Sequence, residues 1–236
     1  SMANQTEEKN HEIIVEMKNI DMRFQGVHAL DDVSITLRRG EVHALMGENG
    51  AGKSTLMKIL VGLYVPTKGE IYYKGKQVHF KSVMDTKKAG ISMIFQEFNQ
   101  VKYMMVMENI YLGREPMTRT GCVDYQKMYE DSKRLLEGLG VDLDPKARMA
   151  DLTVAKFQLV EIVKAISYDA DVIIMDEPTS ALSQTEIEYL LKTVRRLCDQ
   201  GKAIVFISHK LEEVYGVCNR VTILRDGRFI HTGLVK

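Results

Sequence analysis

The stretch Gly47-Glu48-Asn49-Gly50-Ala51-Gly52-Lys53-Ser54-Thr55 constrains this chain more than any other segment. It fits G-x-x-x-x-G-K-[ST], the pattern of a phosphate-binding loop. Its glycines let the backbone turn tightly and aim N–H groups inward at phosphate oxygens. Lys53 reaches the outer phosphates as a point charge, and the hydroxyl of Ser54 is placed to ligate Mg²⁺. Such a loop requires a strand before it and a helix after it. Glu41 to Met46 reads as a short buried strand, and Ser54 to Val61 reads as a helix whose N-terminal dipole faces the anion.

The bulk numbers narrow the setting. A chain of 236 residues buries one sizeable core or two small ones. The composition, 45% hydrophobic and 27% charged, is that of a soluble globular protein. Lys+Arg and Asp+Glu both number 32, so bulk charge recruits neither nucleic acid nor an anionic membrane. No nucleic-acid partner is expected. Cys122, Cys198 and Cys218 are odd in number and dispersed, which excludes a disulfide framework and a zinc knuckle and leaves reduced thiols. No apolar run approaches the ~18–20 residues needed to span a bilayer. Ser1-Met2-Ala3 reads as an expression scar, and residues 1–10 as a disordered tail. The expectation is a soluble chain that can dock onto a membrane partner.

The pattern of apolar residues divides the chain. Glu12 to Lys18 and Val33 to Leu37 alternate apolar and polar, as half-buried strands do. Lys74-Gly75-Lys76 reads as the turn of a hairpin, so the N-terminal third is β-rich around the loop. From about Glu97 to Tyr168 the spacing turns helical, notably over Tyr125 to Leu139 and Val154 to Ile166. This helical insert carries Met104, Met105 and Met107, which suit either core or an adaptable contact surface. Val172 to Met175 and Ala203 to Ile207 are then continuous apolar runs, the mark of parallel strands covered on both faces. Thr185 to Asp199 between them reads as a crossover helix, making a βαβ unit. Arg225-Asp226-Gly227 reads as the turn of a closing hairpin.

A second chemical signal follows the first of those runs. Asp176 and Glu177 put two carboxylates at the C-terminal edge of the sheet, where α/β proteins bind ligands. Asp176 is a candidate Mg²⁺ ligand, directly or through water. Glu177 is placed to orient or deprotonate a water for attack on a γ-phosphate. His209 follows Ala203 to Ile207 and ends a second strand of the same sheet. There it is either structural or a hydrogen-bond partner of the γ-phosphate or the attacking water. Gln96 ends the run Ile91 to Phe95, where its amide either meets Mg²⁺ or is a plain polar strand end. Phe24 either stacks on a base or belongs to the core.

Taken in order, Phe24, Gly47 to Thr55, Gln96, Leu152 to Lys156, Asp176-Glu177, Ser180 to Ser183 and His209 resemble the nucleotide-binding domain of an ABC transporter. The resemblance runs from about Ile13 to Gly233. More narrowly, the phosphate loop, Phe95-Gln96-Glu97, Glu108 to Glu115 and Val160 to Ala165 resemble the ATPases of bacterial importers for simple sugars of the ribose, galactose and xylose type. The implied fold class is α/β: a RecA-like phosphate-loop NTPase with a parallel-sheet core, an N-terminal antiparallel β subdomain and an inserted helical subdomain at about 97–168, all within residues 11–236.

The resemblance implies two such domains sandwiching two ATP molecules head to tail, with Mg²⁺. It implies that Phe24 stacks on adenine and that the loop from Gly47 through Glu48, Asn49, Gly50, Ala51, Gly52, Lys53, Ser54 and Thr55 holds the nucleotide. Ser54, Gln96 and Asp176 attend the metal, and Gln96 couples that site to the membrane subunit. Glu177 is the general base, and His209 contacts the γ-phosphate beside Lys53. The implied partners are a second nucleotide-binding domain, a transmembrane permease at the cytoplasmic face of the membrane and, indirectly, a sugar-binding protein. The family's members often carry two domains in one polypeptide, so this chain reads as the N-terminal half of a longer one.

Two segments depart from the family pattern. The usual signature Leu-Ser-Gly-Gly-Gln is Leu152-Thr153-Val154-Ala155-Lys156 here, so Val154 and Ala155 add side chains where backbone should approach the partner's phosphate. Ser183 stands where an aspartate is typical. The competing readings are a non-transport ABC ATPase and a weakly hydrolysing nucleotide-binding switch.

Overall fold

The computed structural model describes residues 11–95 and 102–235. Strands β1 (Ile13–Phe24) and β2 (Val27–Arg38) form an antiparallel hairpin that closes at Gln25-Gly26, with Gly26 at φ 77°. The alternation in the sequence marks only the halves of these strands away from the turn. Asn19 and Asp32 sit at left-handed φ of 52° each and break the register, so the period of two is lost there. Asn19 Nδ2 donates to Asp32 Oδ1 across the irregularity at 2.8 Å. β4 (Lys68–Tyr73) and β5 (Lys76–Val78) extend this sheet in the order β2-β1-β4-β5. Their turn is Lys74-Gly75 at φ 51° and 79°, the two positive angles of a tight hairpin turn, as predicted.

The second sheet has the order β10-β9-β3-β8-β7-β6. β3 (Val42–Met46), β6 (Ile91–Ile94), β7 (Val172–Asp176), β8 (Ala203–Ser208) and β9 (Arg220–Arg225) are parallel. β10 (Arg228–Leu234) returns antiparallel to β9 through Asp226-Gly227. The predicted βαβ unit is present, with α6 (Gln184–Asp199) crossing from β7 to its neighbour β8.

The continuous apolar runs are explained by two cores. Val205 and Ile207 face a core shared with the antiparallel sheet and with α1 (Lys53–Leu60), while Ile204 and Phe206 face a second core. That second core is covered by α3 (Val106–Ile110), α4 (Tyr125–Gly138), α5 (Val154–Ser167) and α6. With both faces of β8 buried, no polar alternation is possible. The helical spacing over Tyr125 to Leu139 and Val154 to Ile166 corresponds to α4 and α5 within a residue. Met107 is buried in α3 and Met104 packs on the second core, which selects the core alternative for these two, while Met105 is half-buried. The short helices α2 (Val83–Ala89) and α7 (Leu211–Val217) carry too few turns to show a period in the sequence. Residues 1–10 and the start of the helical insert at Glu97 lie outside the described residues. Among the described residues, no helix is long and apolar enough to cross a membrane.

Candidate functional site

The order of the parallel strands makes the site. β3 pairs with β8, and β8 pairs with β7, with Met46 opposite Ser208 and Asp176 opposite Ile207. The loop after β3, the carboxylates ending β7 and the histidine after β8 therefore emerge side by side at one sheet edge. One cleft there is lined by residues 49–55 with Asp176, Glu177 and Ile207.

Two of the loop's glycines, Gly47 and Gly52, are required by close packing. A Cβ at Gly47 would lie 2.5 Å from the Leu224 carbonyl oxygen. Gly52, at φ 98°, would place one 2.7 Å from Leu30 Cδ2. Gly52 also caps α1 without a side-chain acceptor, which leaves the first-turn N–H groups directed at the cleft. Lys53 Nζ donates to the Gly47 carbonyl and so spans the loop. Burial depresses the Lys53 ammonium, while the charges of Glu177 and Asp176 oppose that shift.

Ser54 Oγ donates to Asp176 Oδ2 at 3.4 Å, although the two residues are 122 positions apart. Burial raises the Asp176 carboxyl, and the neighbouring charge of Glu177 adds to it. Two adjacent oxygen donors, one of them a carboxylate raised by burial, suit a hard divalent cation. Glu177 adopts a left-handed φ of 44°, a conformation that costs a non-glycine residue about 1 kcal/mol. Its N–H donates to the Ile207 carbonyl at 2.9 Å, which pins the turn to β8. Glu177 Oε1 accepts a hydrogen bond from His209 Nδ1 at 2.8 Å. An ionised carboxylate can only accept, so Nδ1 carries the proton. That leaves Nε2 for the γ-phosphate or the attacking water, the two partners expected from the sequence.

The remaining predicted residues are placed as follows. Glu48 and Asn49 are exposed on the loop, Ala51 is buried and Thr55 is half-buried in α1. Phe24 ends β1 with 40% of its surface exposed, which rules out the core alternative. Its ring meets Tyr64 edge-on at 5.3 Å. Gln96 lies outside the described residues, and Phe95 before it is exposed at the end of the edge strand β6.

Both departures from the family pattern prove to be helix starts. Thr153 caps α5, its hydroxyl accepting from Lys156 N–H at 3.3 Å. Ala155 is buried, so its methyl adds no bulk to the outer face. Thr153 and Lys156 are the exposed side chains of that segment. Ser183 caps α6 in a reciprocal box with Glu186, at 3.3 and 2.9 Å. The spacing Ser183-x-x-Glu186 was a readable signal for that box. Glu213, on α7 behind the histidine, was not singled out from the sequence, because it belongs to no motif.

A protein-family model described as ABC transporter matches residues 30–180. The galactose/methyl galactoside import ATP-binding protein MglA of Pasteurella multocida (strain Pm70) is 48% identical over 235 residues, covering 100% of this chain and 46% of that protein. A putative ribose/galactose/methyl galactoside import ATP-binding protein 2 of Agrobacterium fabrum (strain C58 / ATCC 33970) is 51% identical over 223 residues, covering 94% and 44%. The chain thus spans about half the length of the curated relatives it matches. Among solved structures, a nucleotide-free ATP-binding cassette from an ABC transporter aligns with a TM-score of 0.84 at 25% identity, covering 95% of this chain and 92% of that one. The ADP conformation of another such cassette aligns with a TM-score of 0.83 at 27% identity, covering 94% and 91%.

Proposed function

The chain belongs to the ABC transporter family, and from that premise we propose that it binds and hydrolyses ATP to power import of a simple sugar through a membrane permease. The observation that carries the hydrolytic part is the meeting of Glu177 and His209 at 2.8 Å beside the phosphate loop. The sugar rests on the names of the relatives.

In this reading residues 11–236 are one nucleotide-binding domain with a helical subdomain at about 97–168. The loop's N–H groups and the start of α1 hold the phosphates, and Lys53 leaves the Gly47 carbonyl to pair with the outer ones. Phe24 presents its exposed ring to adenine. Glu177 accepts the proton of the attacking water, with His209 holding its carboxylate in place and offering Nε2 to the same water. Ser54 and Asp176, with Gln96, hold Mg²⁺, which when bound neutralises charge on the phosphate oxygens. A second nucleotide-binding domain in the same polypeptide closes the sandwich, a reading supported by the relatives' length. The permease is met at the cytoplasmic face of the membrane, and the sugar-binding protein is an indirect partner.

Phosphate release from MgATP tests the reading. Glu177→Gln should keep nucleotide binding and lower turnover by at least ~10²-fold, the scale of general-base catalysis. Turnover equal to wild type would reject Glu177 as the base.

A further inference from the structure

The geometry points to Glu213 as a positioning residue that holds the Glu177 turn and the His209 turn in register. This inference rests on the ATPase reading above. One oxygen of the Glu213 carboxylate accepts the hydroxyl proton of Thr179, and the other accepts that of Ser208 at 2.9 Å. Thr179 lies just beyond Glu177 and Pro178, and Ser208 directly precedes His209. A single side chain on α7 therefore ties together the ends of β7 and β8, one bond on each side of the Glu177–His209 contact.

The directions of these bonds are determined. Ser208 Oγ also accepts from Lys210 N–H at 3.0 Å, and its one hydroxyl proton is committed to Glu213. Thr179 and Ser208 are 4% and 2% exposed, so in the folded chain the carboxylate, not bulk solvent, is their acceptor. Without Glu213, two buried donors lose their acceptor, and each would turn toward a new partner. Turning Thr179 moves the segment that keeps Glu177 at its left-handed φ. Turning Ser208 moves the backbone that carries His209. Glu213 is not among the residues lining the cleft, so it acts through the two residues it holds.

A general base displaced by about 1 Å loses on the order of 10²-fold in rate, while ground-state binding by the phosphate loop is unaffected. The expected signature of Glu213→Ala is therefore a fall in kcat of at least ~10-fold with the KM for ATP within about twofold of wild type. Glu213→Gln should restore part of the rate, since it keeps one of the two acceptors. Its amide oxygen accepts from one hydroxyl, and its NH₂ donates to the lone pairs of the other.

The decisive measurement is a double-mutant cycle with Glu177→Gln in single-turnover MgATP hydrolysis, with thermal melts of every variant. If Glu213 acts by placing Glu177, Glu213→Ala should cost less than about twofold once Glu177 is already Gln. Equal losses in both backgrounds, an unchanged kcat, or a loss confined to KM would each overturn the inference while leaving the ATPase reading intact. Absence of turnover in the wild type would overturn both. Should Glu213→Ala not fold, Thr179→Val cuts one of the two ties and should show a smaller kcat loss with the same dependence on Glu177. Additivity there would also overturn the inference.

Discussion

His209 Nδ1 lies 2.8 Å from Glu177 Oε1, across 32 positions of sequence. The contact orients the imidazole and the carboxylate together. His209→Ala should therefore lower ATP turnover by roughly 10²-fold, the cost of a misplaced catalytic group, with little change in nucleotide affinity. Phosphate release alongside equilibrium nucleotide binding separates the two quantities. An equal loss of binding would place His209 in ground-state recognition instead.

Asp176 carries a cost of a different kind. Burial, with the charge of Glu177, raises its carboxyl above the ordinary 3.8. The folded chain thus binds this proton more readily than the unfolded one. The contribution is fully favourable below 3.8 and is lost as pH rises through the raised value. At neutral pH Asp176→Asn should therefore raise the melting temperature without nucleotide. The same substitution should remove most of the stabilisation by MgATP. Melting curves with and without MgATP check both halves, and an Asn variant less stable without nucleotide would refute the first.

His43 makes the fold acid-sensitive. Burial pushes its imidazole from 6.5 down to about 3, with the charges of Arg220 and Arg38 adding to the shift. Its Nε2 is 2.6 Å from Thr222 Oγ1. Between these two values the unfolded chain takes up a proton that the folded chain refuses. Stability is therefore complete above 6.5 and falls as pH drops from 6.5 toward about 3. The slope from one such group reaches about 1.4 kcal/mol per pH unit. His43→Gln should flatten it, as urea unfolding on either side of pH 6.5 would show.

Ser183 tests whether the unusual residue at that position matters to the fold. Its capping box with Glu186 predicts that Ser183→Ala costs ~1 kcal/mol. Ser183→Asp should stay within a few tenths of a kcal/mol of wild type, because aspartate caps equally well. Denaturant unfolding of the three proteins distinguishes these outcomes. A large stability change with Asp would mean that the position does more than start α6.

Legibility followed the range of each interaction. The turns at Lys74-Gly75 and Asp226-Gly227 were readable because two neighbouring residues at positive φ decide them. β8 was readable because burial of both faces makes a continuous apolar run, and α5 because burial of one face imposes a helical period. The full length of β1 was not, because the irregularity at Asn19 breaks the period within the strand. Glu213 was also hidden, since its two partners lie 34 and 5 positions away and form no local pattern. The same holds for Asp171, which gathers Lys74, Arg39 and Lys202 at 2.8, 3.1 and 3.8 Å from separate parts of the chain.

By itself the sequence determined the loop from Gly47 to Thr55, the apolar strands that frame it and the order of the carboxylates and histidine behind it. These are statements about residue type and spacing, which backbone sterics and burial enforce locally. The tertiary structure alone decided that Ser54 meets Asp176, that Glu177 meets His209, and that Glu213 stands behind them. Those contacts exist because β3, β8 and β7 are neighbours in the sheet. Strand order is set by packing two cores against one sheet, and no run of adjacent residues encodes it.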